Sequence, residues 1–120
     1  MARRVLIIDD NVAFRATARR LLERDRFVII AEAGNGVGGV KEAKRHKPEL
    51  VLLDVQLPDS DGFEVAERLA RLDQPPGVIL ISSLDSSDFG ALVASSAALG
   101  FIPKADLSTA AIEKLLVRSR

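Results

Sequence analysis

The sequence predicts a doubly wound α/β domain, in which helices cover both faces of one parallel sheet. The first observation is a set of five short runs, rich in Val, Ile and Leu, that hardly alternate with polar residues. Such runs are typical of strands buried on both faces. The second observation is that segments with helical apolar spacing lie between these runs, which favours right-handed crossovers and a parallel sheet. We predict strands at 4–9, 27–33, 49–54, 77–82 and 99–104.

The five segments that follow these strands are predicted to be helices, although their signals are unequal. Asp61 followed by Glu64 resembles a capping box at the start of the third helix. Ser108 or Asp106 is expected to cap the fifth helix. The second and fourth segments contain glycines and serines, which are poor helix formers. The predicted helices lie at 11–25, 36–46, 61–72, 86–96 and 107–117.

Length and composition limit the class of protein. With 120 residues, we expect one domain over 1–120 with its own core. The 17 basic residues balance the 17 acidic ones, which argues against a domain that binds nucleic acid directly. The absence of cysteine excludes disulfides and thiolate metal sites, and the one histidine excludes a histidine cluster. Since no apolar run approaches the roughly 20 residues of a membrane span, a cytoplasmic location without membrane contact is expected.

Charged and polar residues stand where four of the predicted strands end. They are Asp9 and Asp10 at the end of the first strand, Asp54 at the end of the third, Ser82 at the end of the fourth and Lys104 at the end of the fifth. In an open parallel sheet the functional crevice lies outside the carboxyl ends of the strands. Three carboxylates at that edge repel one another unless a cation neutralises them. Oxygen ligands without Cys or His favour Mg²⁺, which also leaves room for a phosphate oxygen.

The same residues indicate phosphoryl transfer. Lys104 adds a compact positive charge on a flexible stem, and Ser82 adds a hydroxyl donor. Catalysis of phosphoryl transfer consists mostly of positioning and charge neutralisation, which these groups can supply. A carboxylate that does not serve the metal alone can then act as the nucleophile and form an aspartyl phosphate.

Simpler explanations exist for individual residues. Asp10 could cap the next helix, Asp54 could cap the helix after its strand, and Ser82 could simply end a strand. The run "GNGVGG" (34–39) also satisfies the glycine pattern of dinucleotide-binding sites. It follows the second strand rather than the first, and a dinucleotide site would leave Lys104 unexplained. We therefore interpret 34–39 as a tight turn and the start of a loosely wound helix.

Four motifs, in order along the chain, carry a resemblance to a known family: "IIDDN" (7–11), "LLDVQLPDSDG" (52–62), "VILISS" (78–83) and "GFIPK" (100–104). Over nearly its whole length the chain resembles the receiver domain of the bacterial two-component response regulators. The resemblance implies a (βα)5 flavodoxin-like fold with strand order 2-1-3-4-5. It also implies that Asp54 is the phosphoacceptor, and that Mg²⁺ is bound by Asp9, Asp10, Asp54 and the backbone carbonyl of Gln56.

The resemblance assigns supporting roles to further residues. Lys104 and Ser82 would contact the phosphoryl group, and Ser82 and Phe101 would act as the switch. Pro58 and Gly62 fill the turn after the phosphoacceptor, in the pattern D-x-x-x-P-x-x-x-G.

The chain departs from the family pattern at three positions. Ser82 stands where Thr is commoner, which keeps the hydroxyl, and Phe101 stands where Tyr is frequent, which removes one. Ala105 follows Lys104, where many members have Pro. A cis bond after this lysine is typical of the family, but before Ala it would cost about 2.5–4 kcal/mol relative to trans. Whether the Lys104–Ala105 bond is cis is therefore left open.

The function that the resemblance implies is a phosphorylation-switched signalling module. A sensor histidine kinase would phosphorylate Asp54, and the surface 84–104 would change to control an output domain, a partner protein or a phosphorylation-dependent dimer. The domain would catalyse only the acceptance and hydrolysis of its own phosphoryl group. One alternative is a single-domain phosphorelay or interaction module. Another is an aspartate-nucleophile phosphatase, which normally has a second Asp where this chain has Gln56.

Overall fold

The computed structural model describes residues 2–84 and 89–118, which form a five-stranded parallel sheet flanked by helices. The strands are β1 (Arg3–Ile8), β2 (Phe27–Ala33), β3 (Leu50–Asp54), β4 (Gly77–Ser82) and β5 (Gly100–Pro103). The helices are α1 (Val12–Glu23), α2 (Gly36–His46), α3 (Gly62–Ala70), α4 (Gly90–Ser95) and α5 (Thr109–Arg118), with a short 3₁₀ turn at Lys104–Asp106. The sheet order is β2-β1-β3-β4-β5, which confirms the predicted fold and strand order.

The strands are buried on both faces, which explains why their sequences alternate so little. Val5 and Ile7 of β1 point to a cluster formed with α1 and α5, and Leu6 and Ile8 point to a second cluster formed with α2 and α3. All four side chains are fully buried. Burial of each such aliphatic side chain contributes about 1.5–3 kcal/mol, so the central strands hold the two helical layers together.

The predicted strand bounds are within one residue of the observed ones, whereas the fourth helix differs. The prediction for this helix was 86–96, but α4 spans only Gly90–Ser95, and 85–88 lie outside the described residues. Phe89 precedes α4 without providing a side-chain cap. The hydroxyls of Ser95 and Ser96 donate to backbone carbonyls one turn earlier. Serine is a weak helix former because its hydroxyl competes for the backbone in this way.

The glycines of 34–39 serve close packing, and α2 is a regular helix of 11 residues. The expectation of a loosely wound helix is therefore wrong. A Cβ on Gly39 would lie 2.4 Å from Ile8 Cδ1, and one on Gly36 would lie 2.5 Å from Ser60 Oγ. Both glycines let α2 approach the sheet and the β3–α3 loop, since any side chain would have to displace buried neighbours.

The backbone donors at the start of α2 already have partners within the chain. The Asp59 carboxylate accepts hydrogen bonds from Gly36 N at 2.8 Å and Val37 N at 3.0 Å, and these bonds lower the pKa of Asp59. Asn35 Oδ1 accepts from Gly38 N at 2.7 Å. The helix end that would hold a pyrophosphate in a dinucleotide site is thus occupied, which argues against that alternative.

Side-chain caps define where three other helices begin. Asn11, and not Asp10, caps α1, because Asn11 Oδ1 accepts from Phe14 N at 3.0 Å. Asp61 Oδ1 accepts from Glu64 N at 2.9 Å at the start of α3. At α5 the cap is Ser108 rather than Asp106, through a 3.0 Å bond from Ala111 N. The caps leave Asp10 free of a helix-capping role.

The described residues contain no cis peptide bond, so the bond between Lys104 and Ala105 is trans. This settles the point that the sequence left open.

Gly62 is expected to tolerate a side chain far less well than Gly90. A Cβ on Gly62 would lie 2.6 Å from the backbone oxygen of Asp54 and 2.8 Å from Val55 Cα, whereas one on Gly90 would meet nothing within 4 Å. We expect Gly62→Ala to lower the free energy of unfolding by about 1–3 kcal/mol. We expect Gly90→Ala to leave it unchanged or to raise it by up to about 1 kcal/mol. Urea denaturation of both variants measures this difference, and equal losses would contradict it.

Candidate metal site

Three aspartates meet at the carboxyl edge of the sheet. Asp9 directly follows β1 and Asp54 ends β3, and these two strands are neighbours in the sheet. Together with Asp10, each residue presents a carboxylate oxygen, and these oxygens all lie within 4.8 Å of one another. Asp9 is 0% exposed and Asp54 is 5% exposed, while Asp10 faces solvent. Two buried acids and one exposed acid thus converge at this edge of the sheet.

Asp9 is held in place on both sides of its side chain. Its backbone N–H donates to the Ala33 carbonyl at 2.9 Å, and its Oδ1 accepts from Asn11 N at 2.8 Å. Its Oδ2 forms an ion pair with Lys104 Nζ at 2.7 Å. Within the described part of the chain, no donor makes a well-directed hydrogen bond to this buried oxygen. A buried carboxylate oxygen with spare acceptor capacity, beside two further acids, fits a hard divalent cation such as Mg²⁺.

Asp54 is held by its own loop and by Lys104. Its Oδ1 accepts from Gln56 N at 3.1 Å, and its Oδ2 accepts from Lys104 Nζ at 3.3 Å. Burial raises the pKa of Asp54, and the charge of Asp9 raises it further, while the Gln56 N–H and Lys104 oppose both effects. The ionised carboxylate is therefore an unfavourable group in the folded protein without a metal.

Lys104 is the cation that the chain itself supplies to this site. Its Nζ contacts both buried acids, and it lies 4.5 Å from the centroid of the Phe14 ring. Burial alone would lower the pKa of Lys104, but contact with Asp9 and the charges of Asp54 and Asp9 outweigh burial and raise it. The ammonium therefore stays charged at neutral pH, and the Phe14 ring adds a cation–π contact that sequence reasoning missed.

The two residues predicted to form the switch, Ser82 and Phe101, have described contacts with residues outside the acid cluster. Ser82 is buried at the end of β4, and its Oγ accepts from Leu84 N at 3.0 Å. Phe101 is half-buried, and its ring centroid lies 5.8 Å from that of Phe89, which in turn lies 6.1 Å from that of Phe63. Lys104 thus contacts the acids directly, whereas Phe101 lies at one end of a row of three aromatic rings, Phe63, Phe89 and Phe101.

The loop after Asp54 contains three further residues that the sequence predicted to belong to the site: Gln56, Pro58 and Gly62. The exposed Gln56 forms an isolated antiparallel bridge with Asp61, which closes the loop. Gly62 follows, and its N–H donates to the Val55 carbonyl at 2.7 Å. Pro58 is exposed within the loop. The loop thus returns to the end of β3 only because Gly62 lacks a side chain.

Sequence reasoning missed a network of charged residues behind Asp9. Arg15 Nη1 donates to the Asp9 carbonyl at 2.5 Å, and Arg15 Nε lies 2.9 Å from Glu32 Oε1. Arg19 donates to Glu32 Oε2 through two nitrogens, at 2.9 and 2.7 Å. Burial alone would raise the pKa of Glu32, but the hydrogen bonds and charges of Arg19 and Arg15 outweigh it and lower the pKa. The i, i+4 spacing of the two arginines was the one available signal.

The comparison with known families identifies the class of protein. The family model of the response regulator receiver domain matches residues 5–115. The chain therefore belongs to the receiver domain family of the two-component response regulators. Members of this family are signalling modules rather than typical enzymes: sensor kinases phosphorylate them, they bind Mg²⁺ at the acidic pocket, and they regulate output domains. The cluster of Asp9, Asp10 and Asp54 fits this description.

Individual relatives agree with this assignment. The chain is 39% identical over 104 residues to the transcription regulator BvgA from Bordetella pertussis, covering 87% of this chain and 50% of BvgA. It is 32% identical over 119 residues to the chemotaxis protein CheY from Bacillus subtilis, covering 97% and 99% of the two chains. The signal receiver domain of the response regulator NarL from Mycobacterium tuberculosis superposes with a TM-score of 0.84 at 28% identity, covering 96% and 97%.

The lengths of these relatives differ. The chain spans about half the length of the first curated relatives that it matches, a transcriptional regulator from Pseudomonas aeruginosa and BvgA. Among the described residues, no helix is both long and apolar enough to cross a membrane.

Replacement of Asp54 by Asn is expected to stabilise the protein when no divalent metal is present. Because the pKa of Asp54 is raised in the folded state, the ionised group costs about 1.4 kcal/mol for each unit of that rise. This cost is fully present above the folded-state pKa and disappears as the pH falls below the usual value of 3.8. Asp54→Asn should therefore raise the Tm at pH 7 in EDTA, with a gain that shrinks toward acid pH.

Asp61→Asn is the matched control for this measurement. Asp61 is exposed and caps α3, and Asn is about as good a cap as Asp. No comparable gain in Tm is expected. Equal gains in both variants, or a gain that does not depend on pH, would contradict burial of the Asp54 charge as the cause.

Proposed function

We propose that this chain is a phosphorylation-switched receiver in which Asp54 accepts a phosphoryl group from a sensor histidine kinase. The observation that carries the proposal is the position of Lys104 Nζ, 2.7 Å from Asp9 and 3.3 Å from Asp54, at an edge that three acids share. An ammonium held beside a carboxylate in this way can contact an oxygen of a phosphoryl group that forms on it. Membership of the receiver family supports the proposal.

Asp9, Asp10, Asp54 and the backbone carbonyl of Gln56 are the proposed ligands of Mg²⁺. When bound, the ion would neutralise the negative charge that develops on the phosphoryl oxygens. The spare acceptor capacity of Asp9 Oδ2 and the excess of acids over cations support this ligand set.

The proposed reaction uses Asp54 as the nucleophile. A carboxylate oxygen forms a bond to phosphorus while the P–N bond of the donor phosphohistidine breaks, and the electron pair of that bond returns to the imidazole. Lys104 holds a phosphoryl oxygen. The bond from Leu84 N uses a lone pair of Ser82 Oγ, so the Ser82 O–H remains able to donate to another phosphoryl oxygen.

The proposed output is a change in the surface 84–104. Movement of the Ser82 loop toward the phosphoryl group would alter the contacts of Phe89, and Phe101 would then reorient. This surface would dock an output domain, a partner protein or a second protomer. We also propose that 1–120 is a single cytoplasmic receiver domain that does not bind nucleic acid itself and turns over no substrate beyond its own phosphoryl group.

A receiver without an output domain of its own is the second candidate function. It is favoured by the match to CheY of B. subtilis, which the chain covers almost completely. The relatives of twice the length favour a receiver joined to an output domain. A phosphatase is less well supported, since Gln56 at the second position after Asp54 cannot act as the acid or base.

Asp54→Asn is expected to abolish phosphorylation of the protein. Incubation of the wild type with acetyl phosphate and Mg²⁺ should add one phosphoryl group, detected by intact-mass spectrometry. The Asn variant keeps the shape of the side chain but has no carboxylate nucleophile. Asp61→Asn, which removes a nearby acid outside the cluster, should be labelled like the wild type. Labelling of the Asp54 variant would show that another residue is the acceptor.

Ser82→Ala is expected to accept the phosphoryl group, but its surface 84–104 is expected to respond less than that of the wild type. Hydrogen exchange of the wild type with beryllofluoride, a phosphoryl mimic, should change across 84–104 because the Ser82 O–H draws its loop toward the mimic. The change should be smaller in Ser82→Ala and should persist in Ser82→Thr, which retains the hydroxyl. An unchanged surface in the wild type, or an equal change in Ser82→Ala, would refute this coupling.

A further inference from the structure

Arg15 contacts the backbone of the metal site rather than any of its carboxylates. Its Nη1 donates to the carbonyl oxygen of Asp9 at 2.5 Å, and this carbonyl belongs to the peptide group that joins Asp9 to Asp10. The peptide group is planar, so a bond that fixes its oxygen also fixes the direction in which the chain continues. Arg15 therefore restrains the segment that carries two of the three clustered acids.

The guanidinium of Arg15 is itself held rigidly. Its Nε lies 2.9 Å from Glu32 Oε1, and the side chains of Arg15 and Glu32 are 17% and 26% exposed. Arg19 holds the other oxygen of Glu32 at 2.7 Å. Hydrogen bonds between charged partners are about twice as strong as neutral ones, and the planar guanidinium fork limits the available geometries. β2 thus supports, through Glu32 and Arg15, the loop that follows β1.

This support matters because the other described restraints act on Asp9 before the peptide group that leads to Asp10. Asp10 is exposed, and Asn11 is the first residue that α1 uses as a cap. Asp9 itself is tied to β2 by its N–H bond to the Ala33 carbonyl and to Lys104 by its Oδ2, and the Asn11 N–H bonds to its Oδ1. Among these described contacts, the bond from Arg15 is the one that acts on the oxygen of the peptide group between Asp9 and Asp10.

We propose that Arg15 is a positioning residue for the metal site, which fixes the Asp9–Asp10 peptide group so that the two carboxylates converge on a divalent cation. The proposal rests on the proposed function, because it assumes that the acid cluster binds Mg²⁺. Arg15 touches neither the ion nor the phosphoryl group in this role. Groups that orient metal ligands without binding the ion typically change metal affinity by tenfold or more when they are removed.

Positioning and charge predict opposite effects of removing Arg15. As a positive charge near the acids, Arg15 repels a divalent cation, so its loss through charge alone would tighten Mg²⁺ binding. As a support for the peptide group, its loss would weaken binding. The direction of the change therefore distinguishes the two effects without any assumption about their sizes.

The test is the Mg²⁺ dissociation constant of the full chain, measured by isothermal titration calorimetry, since the protein has no Trp or Tyr to report binding by fluorescence. Arg15→Met removes the donors but keeps an unbranched apolar stem, and we expect the constant to rise about tenfold. Arg15→Lys keeps the charge, but one nitrogen cannot span both Glu32 and the Asp9 carbonyl. We expect it to remain weakened as well.

Arg19→Met is the matched control. It removes two hydrogen bonds to the same Glu32 carboxylate but none to Asp9, so it should lower the Tm while changing the dissociation constant less than twofold. Hydrogen exchange supplies a second readout. In Arg15→Met, faster exchange should be confined to the amides of residues 10 and 11, whereas general destabilisation would spread through α1 and β2.

The outcomes separate this inference from the proposed function. Wild-type binding with an unchanged or lower dissociation constant in Arg15→Met overturns the positioning role and leaves the metal site intact. An equal rise in Arg19→Met also overturns it, because the effect would then be general. A wild type that binds no Mg²⁺, in the same assay in which Asp10→Ala is the negative control, overturns the metal site and the inference together.

Discussion

The contact of Lys104 with Asp9 and Asp54 determines how the carboxyl edge of the sheet is built. Two carboxylates buried side by side destabilise a fold unless a cation is present, and removing one partner of such a group leaves an uncompensated charge. In the observed order of strands, β4 lies between β3 and β5, and Lys104 directly follows β5. The Lys104 side chain must therefore cross the end of β4, where Ser82 lies. The strand order therefore brings Ser82 to the same edge of the sheet as the ammonium and the acids.

Lys104 neutralises the three clustered acids only in part. Three carboxylates and one ammonium leave a formal charge of minus two, which one divalent cation would cancel. Burial is the main cause of the raised pKa of Asp54, and the charge of the neighbouring Asp9 adds to it. In the proposed function, a nucleophile that is under-neutralised in this way would be more reactive than one in a saturated ion pair, at a cost in stability.

The parts of the site that the sequence predicted depend on position along the strands. Asp54 and Lys104 could be placed because parallel strands bring their carboxyl ends to one edge, whatever the side chains do. The contacts of Arg15 with Glu32 and of Asp59 with the start of α2 could not, since they join residues 17 and 23 positions apart through side-chain geometry. The glycines of 34–39 led to the wrong expectation of a loosely wound helix for a related reason. Their purpose is the close approach of Ile8 and Ser60, which no local pattern encodes.

In the proposed function, the short helix α4 would determine how much signal one phosphoryl group can produce. Among the described residues, α4 spans six positions, none of them buried, although Val93 packs against the core from one side. Phe89, which precedes α4, lies between Phe63 and Phe101. One hydrogen bond from Ser82 to a charged phosphoryl oxygen is worth about 1.5–3 kcal/mol, which changes an equilibrium by roughly 10- to 150-fold. That is too little to reverse a strongly biased equilibrium. It is enough where the competing packings of a weakly held helix differ by a similar energy, so the low intrinsic stability of α4 suits a switch driven by so few contacts.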